Sequence, residues 1–201
     1  MRLSHRPRFV PGRHRHERGA VLVEFATVAI FLVVLLAGAF DFGMAWRAGL
    51  GVTESARAGA RVGSSGGKAT AADRDLLLSA QAALASSGLL DQVDMVIIYN
   101  ATTNAVVPTA CKTGSGATLT CNSYTGAQFR GIVAAAPLDA TGCIVASTRK
   151  GFCPLNTARS NIQLTASYLG VWVRVRYDYE FGILGSARMI ERTAIMRIEP
   201  P

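Results

Sequence analysis

From Ala20 to Phe40 the chain carries apolar and small residues almost without interruption, with a single charge at Glu24. A helix needs about 20 such residues to cross a bilayer, so this run predicts a membrane span. Asp41 marks its far end, and Trp46 follows where an interfacial aromatic anchor belongs. Beyond the span, Met44 to Val62 contains no proline, and Ala45, Ala48, Val52, Ala56, Gly59 and Ala60 form a small-residue stripe at helical spacing. Two readings of that stripe stand side by side. It allows close approach of another helix, or it is the face on which the helix rests against its own domain. Ser64-Ser65-Gly66-Gly67 predicts the end of the helix and a hinge.

A second helix is predicted over Ala71 to Ser87. Asp73 and Asp75 sit in its first turn, where negative charge suits the helix dipole. Leu77, Ala80 and Leu84 make its apolar face, and Gly88 suits its end. Val93 to Tyr99 reads as a buried strand. The clearest strand is Val171 to Phe181. There Val171, Val173, Val175, Tyr177, Tyr179 and Phe181 alternate with Trp172, Arg174, Arg176, Asp178 and Glu180, the pattern of a half-buried antiparallel strand. A turn region at Gly182–Gly185 leads to a last strand near Arg188 to Ile198. Residues 100–165, rich in Thr, Ser, Gly and Asn, predict loops and short strands. The expected fold is α+β: a transmembrane helix extending into an outer domain with a second helix and a small antiparallel sheet. Its parts are a basic leader (1–19), the long helix (20–63) and an extracytoplasmic domain (64–201).

Of 201 residues, half are hydrophobic and 17% are charged, which suits an anchored or secreted protein better than a disordered one. The net charge of +8 is concentrated at the start, where residues 1–19 hold six arginines. Such a cluster can contact nucleic acid. Beside an apolar span it reads as topology, with the arginine-rich end cytoplasmic and the C-terminal domain outside. Cys111, Cys121, Cys143 and Cys153 then fall in an oxidising compartment. Of their three pairings, Cys111–Cys121 and Cys143–Cys153 close the shortest loops. Each would contribute about 2–4 kcal/mol on the chain-entropy account. A zinc site is the weaker reading, because no C-x2-C occurs and His5, His14 and His16 all lie in the leader.

No catalytic constellation is present: no G-x-S-x-G, H-E-x-x-H, P-loop or G-x-G-x-x-G. No cofactor or metal is expected, and no enzymatic activity. Arg174 and Arg176 read as a solvated face. Glu24 stands out instead. A carboxylate at the centre of a span costs about 2.5–3.5 kcal/mol, and less near the edge, and is a functional candidate by default. It lies about 7 Å of helix rise beyond Gly19.

Glu17-Arg18-Gly19-Ala20 followed by Glu24 and the apolar run, together with Asp41-Phe42-Gly43 and Ala56-Arg57-Ala58-Gly59-Ala60-Arg61, resembles the TadE/TadG-like proteins of Tad (Flp-type IV) pilus systems over about residues 17–63. The resemblance implies removal of the leader by an inner-membrane aspartic prepilin peptidase. Gly19 would supply the scissile carbonyl, Ala20 the new N-terminus, and Glu24 the acidic position of the mature helix. It implies other TadE/TadG-like or Flp pilin subunits and the Tad assembly platform as partners, the inner membrane as location, and a role in pilus biogenesis and adherence. The remaining residues match no pattern of that family. The chain is also far larger than the short, nearly all-helical major Flp pilin, which favours a minor pseudopilin. The alternatives are an unprocessed signal anchor carrying a binding module, a secreted protein cut after Ala37-Gly38-Ala39, and an anchored enzyme.

Overall fold

The computed structural model describes residues 15–102, 105–113 and 120–200, with side chains from Gly19 onward in the first helix. The leader expected over residues 1–19 therefore lies outside the described residues up to His14. Helix α1 runs unbroken from Arg15 to Gly66, 52 residues, or about 78 Å at 1.5 Å per residue. Among the described residues of its first half, the large apolar side chains from Val21 to Leu36 are exposed. One stretch of α1, from Gly19 onward, is long and apolar enough to cross a membrane, in keeping with single-pass anchoring.

The second half of α1 is a core helix. Ala48, Val52, Ala56 and Ala60 are buried in the main apolar core. Opposite them lies α2 (Ala72–Ser86), with Leu76, Leu77, Ala80 and Leu84 fully buried. The small-residue stripe thus serves the chain's own domain. A Cβ on Gly63 would come within 2.4 Å of Leu76 and 2.7 Å of Leu169, so any side chain there would force these leucines to move. α2 ends where Gly88 adopts φ +72° and the Leu89 amide donates back to the Leu84 carbonyl at 2.9 Å, a glycine-closed helix terminus.

Against these helices lies a five-stranded sheet in the order β3-β2-β1-β4-β5. The strands are β1 (Val93–Asn100), β2 (Cys121–Thr125), β3 (Arg149–Lys150), β4 (Tyr168–Asp178) and β5 (Ala187–Arg197). Every pairing is antiparallel. Short helices α3 (Thr109–Thr113) and α4 (Gly126–Arg130) flank β2, and Thr125 caps α4 through a reciprocal capping box with Gln128. On β4, Leu169, Val171, Val173, Val175 and Tyr177 face the helices. Trp172 faces away into a second cluster with Ile97, Tyr99, Val107, Cys111 and Cys121. Both faces of the sheet centre are therefore covered, and Trp172 is buried on the side expected to be polar. Arg174 on that side is not simply solvated: it pairs with Asp94 across the strands and lies over the Trp172 ring. Arg176 is largely exposed beside Asp178. The cysteines form the expected disulfides, Cys111–Cys121 and Cys143–Cys153, which takes their sulfurs out of metal ligation.

Two expectations give way. Asp73 is no helix-start surface charge. It is fully buried and pairs at 2.7 Å with an equally buried Arg159. The Asn122 amide donates to its other oxygen at 2.7 Å and also holds Phe152 through both backbone groups. Arg159 further donates to the Gly67 carbonyl, and the Glu199 amide to the Ser64 carbonyl. The Ser64–Gly67 bend is thereby tied to two distant segments and is a fastened corner rather than a free hinge. Asp75 keeps the surface role, beside Arg74.

Removing one member of a buried ion pair strands the other, at a cost of about 3–5 kcal/mol. Arg159→Met should lower unfolding stability by that amount in detergent-solubilised full-length protein, and Asp73→Leu on top of it should recover a large part. Asp139 offers a pH test. Partial burial raises its pKa, but hydrogen bonds from the Thr141 hydroxyl, the Lys150 ammonium and the Thr141 and Cys143 amides outweigh that and hold it at about 2 against an ordinary 3.8. A depressed carboxylate stabilises above its unfolded pKa and loses that contribution as pH falls through the folded one. Asp139→Asn should therefore flatten the fall in melting temperature between about pH 4 and pH 2.

Candidate functional site

The residues singled out near the start of α1 all lie in continuous helix. Gly19 and Ala20 are exposed, and a Cβ built on Gly19 meets nothing within 4 Å. A glycine inside a helix weakens it by about 0.5–1 kcal/mol relative to alanine. The Gly19–Ala20 bond is thus exposed and lies where the helix is modestly weakened. Glu24 is exposed one turn further on, and among the described residues no cation pairs with it.

At the other end of the apolar run lies a feature that sequence reading missed. Asp41, expected as a polar boundary marker, is fully buried. Its two carboxylate oxygens accept hydrogen bonds from the backbone amides of Phe181 (3.1 Å) and Ile183 (3.3 Å). Those amides flank Gly182, whose φ of +66° lies in the left-handed region. Successive amides around such a residue make a concave anion-binding surface. The β4–β5 turn is thus fastened to the end of the span. β4 pairing stops at Asp178, short of the expected Phe181, because the chain must curl here to present these amides. Phe181 consequently leaves the inward face and meets Phe40 edge-on, with ring centroids 5.6 Å apart. The signal available in the sequence was the apolar turn itself: Ile183 and Leu184 between two glycines suit a site shielded from water. One helical turn above Asp41, Phe42 and the exposed Trp46 stack at 6.4 Å, which suits the anchoring role expected of Trp46.

From Gly19 to Arg61 the chain therefore holds an exposed glycine, a carboxylate with no partner among the described residues, an exposed apolar run, a fastened aspartate corner and a small-residue face. Residues 19–61 match a family model described as TadE-like protein. The match begins at the glycine of the candidate cleavage site and takes in Glu24, Asp41 and most of the small-residue stripe. No curated protein and no solved structure matches the chain. The α+β domain beyond the TadE-like segment is thus read from its own geometry.

Replacing Asp41 leaves two amides without their acceptor. Unmet buried donors cost about 1–3 kcal/mol, and about 1.4 kcal/mol is tenfold in an opening equilibrium. Asp41→Ala should accelerate hydrogen exchange at the Phe181 and Ile183 amides about tenfold or more, with the β1–β4 amides little changed.

Proposed function

We propose that the chain is a minor pilin-like component, a pseudopilin, of a Tad/Flp type IV pilus assembly system, without enzymatic activity of its own. The observation that carries this reading is the TadE-like match starting at Gly19, on a helix whose first half is apolar and unoccupied by its own domain. In this reading the arginine-rich start lies in the cytoplasm and the sheet domain outside, and a prepilin peptidase cuts between Gly19 and Ala20. Cleavage removes the cytoplasmic arginines that hold the helix in register with the membrane, so that the helix can be drawn outward. It also creates an ammonium at Ala20. Glu24 of a neighbouring subunit is the group to meet it. In surroundings of low dielectric the pair offsets part of the cost of burying each charge and sets the axial register between helices. The partners are the peptidase, other TadE/TadG-like or Flp pilin subunits and the assembly platform, in support of pilus biogenesis and adherence.

The competing reading is a signal-anchored binding module that is neither cut nor assembled. Intact mass of protein from cells with an active pilus system should show Ala20 as the first residue, and cells lacking the peptidase should keep the leader. Glu24→Gln should still be cut but should enter sheared pilus fractions poorly. Retention of the leader with the peptidase present, or normal incorporation of the Gln variant, would overturn the maturation and pairing steps respectively.

A further inference from the structure

β5 climbs along α1. Ile183 lies 3.9 Å from a Cβ built on Gly38, Arg192 lies 3.2 Å from one on Gly49, and the Glu199 amide bonds to Ser64 near the top. Its lower end therefore lies beside the last turn of the apolar run. There Phe181, Ile183 and Leu184 are exposed alongside Phe40 and Phe42, forming one apolar surface continuous with the lipid-facing side of α1. The turn cannot lift away without giving up the Asp41 hydrogen bonds. Just above it, a groove of about 700 Å³ between α1 and β5 is walled by Trp46, Leu184 and Met189 and edged by Arg188 and Arg192. Among the described residues neither arginine pairs with a carboxylate.

We infer that the β4–β5 turn is a second membrane element, immersed in the leaflet at the C-terminal end of the span. The occupant of this surface is lipid, because the surface is continuous with the span and at the same depth. If Ala20 to Phe40 fills the hydrocarbon, Gly38 lies within its last turn, and Ile183 with it. Apolar side chains of interfacial elements commonly reach about 5–10 Å into the headgroup and acyl boundary. Arg188 and Arg192 then stand at and above the level of the phosphates, where a guanidinium can rest its stem on apolar surface and its head among anions. The outer domain is consequently held against the membrane at two points, with its orientation restricted.

The full-length chain has its four cysteines in disulfides, so a single added cysteine can carry an environment-sensitive fluorophore. Leu184→Cys and, as a distal reference, Leu164→Cys (94% exposed) would be labelled and reconstituted into phosphatidylethanolamine/phosphatidylglycerol vesicles containing brominated lipid. The Leu184 probe should be quenched by lipid several-fold more than the Leu164 probe and be shielded from aqueous iodide. Equal lipid quenching at the two sites would overturn the inference. So would shielding of the Leu184 probe from both quenchers that disappears on dilution in lipid, which would assign the surface to a second copy of the chain. The same labelling at Ile183→Cys guards against a local effect of one substitution. The inference needs only that α1 spans the membrane. N-terminal mass of the same samples reports processing separately, so failure of one does not decide the other.

Discussion

The structure depends on one helix serving two solvents without a break. Over its first half α1 presents apolar side chains outward, as lipid requires. Over its second half it presents alanines, valine and glycine inward, as close packing against α2 and the sheet requires. Backbone hydrogen bonds are satisfied within the helix throughout, so the change of environment costs nothing in the main chain. The change is made at Asp41. A carboxylate there would face either hydrocarbon or packed protein, and the β4–β5 turn resolves the conflict by bringing two amides to it. Domain and span are joined by that contact as well as by the helix, so the helix cannot turn about its axis independently of the sheet.

This rigidity bears on how a subunit would be handled by an assembly machine. A flexible linker between span and domain would let the helix be drawn outward while the domain lagged. Here an axial pull on α1 is transmitted through the Asp41 corner, the alanine face and the Ser64–Gly67 bend, each tied to a different part of the domain. The Asp73–Arg159 pair holds the far end, where Arg159, between β3 and β4, reaches the carbonyl of Gly67. The two disulfides staple the segments least rich in regular structure.

Much of this was legible in the amino-acid sequence because the strongest signals are periodic. The apolar run, the second helix (observed over Ala72–Ser86), the inward face of Val171, Val173, Val175 and Tyr177 and the local cysteine pairs were all legible. What was not legible depended on partners distant in sequence. The burial of Asp73 requires Arg159 and Asn122, some 86 and 49 residues away, and no local pattern announces either. Trp172 and Arg174 look like polar-face residues until the segment around Cys111 folds over that side of the sheet. The small-residue stripe was ambiguous because tight packing of α1 on its own domain and on a neighbouring helix make the same demand for small side chains. Asp41 and the turn at Gly182 were each noticed, but only tertiary structure brings them together.

The contrast among the carboxylates gives Glu24 its interest. Asp73, deep in the core, has an arginine and an amide. Asp41, at the end of the span, has two backbone donors. Glu24, the one carboxylate within the apolar run, has no such partner among the described residues. Among the described residues the fold thus answers both of its buried acids internally and holds no partner for the acid in its apolar run. Water and headgroups can supply one while Glu24 stays near the membrane edge. If the helix is packed among other helices, as proposed, neither is at hand, and a cation on a neighbour would be the partner that costs least. In the proposed maturation, an amino terminus at Ala20, four residues before the glutamate, would provide a cation at nearly the same depth, which a lysine or arginine elsewhere on the apolar run does not, since that run contains none.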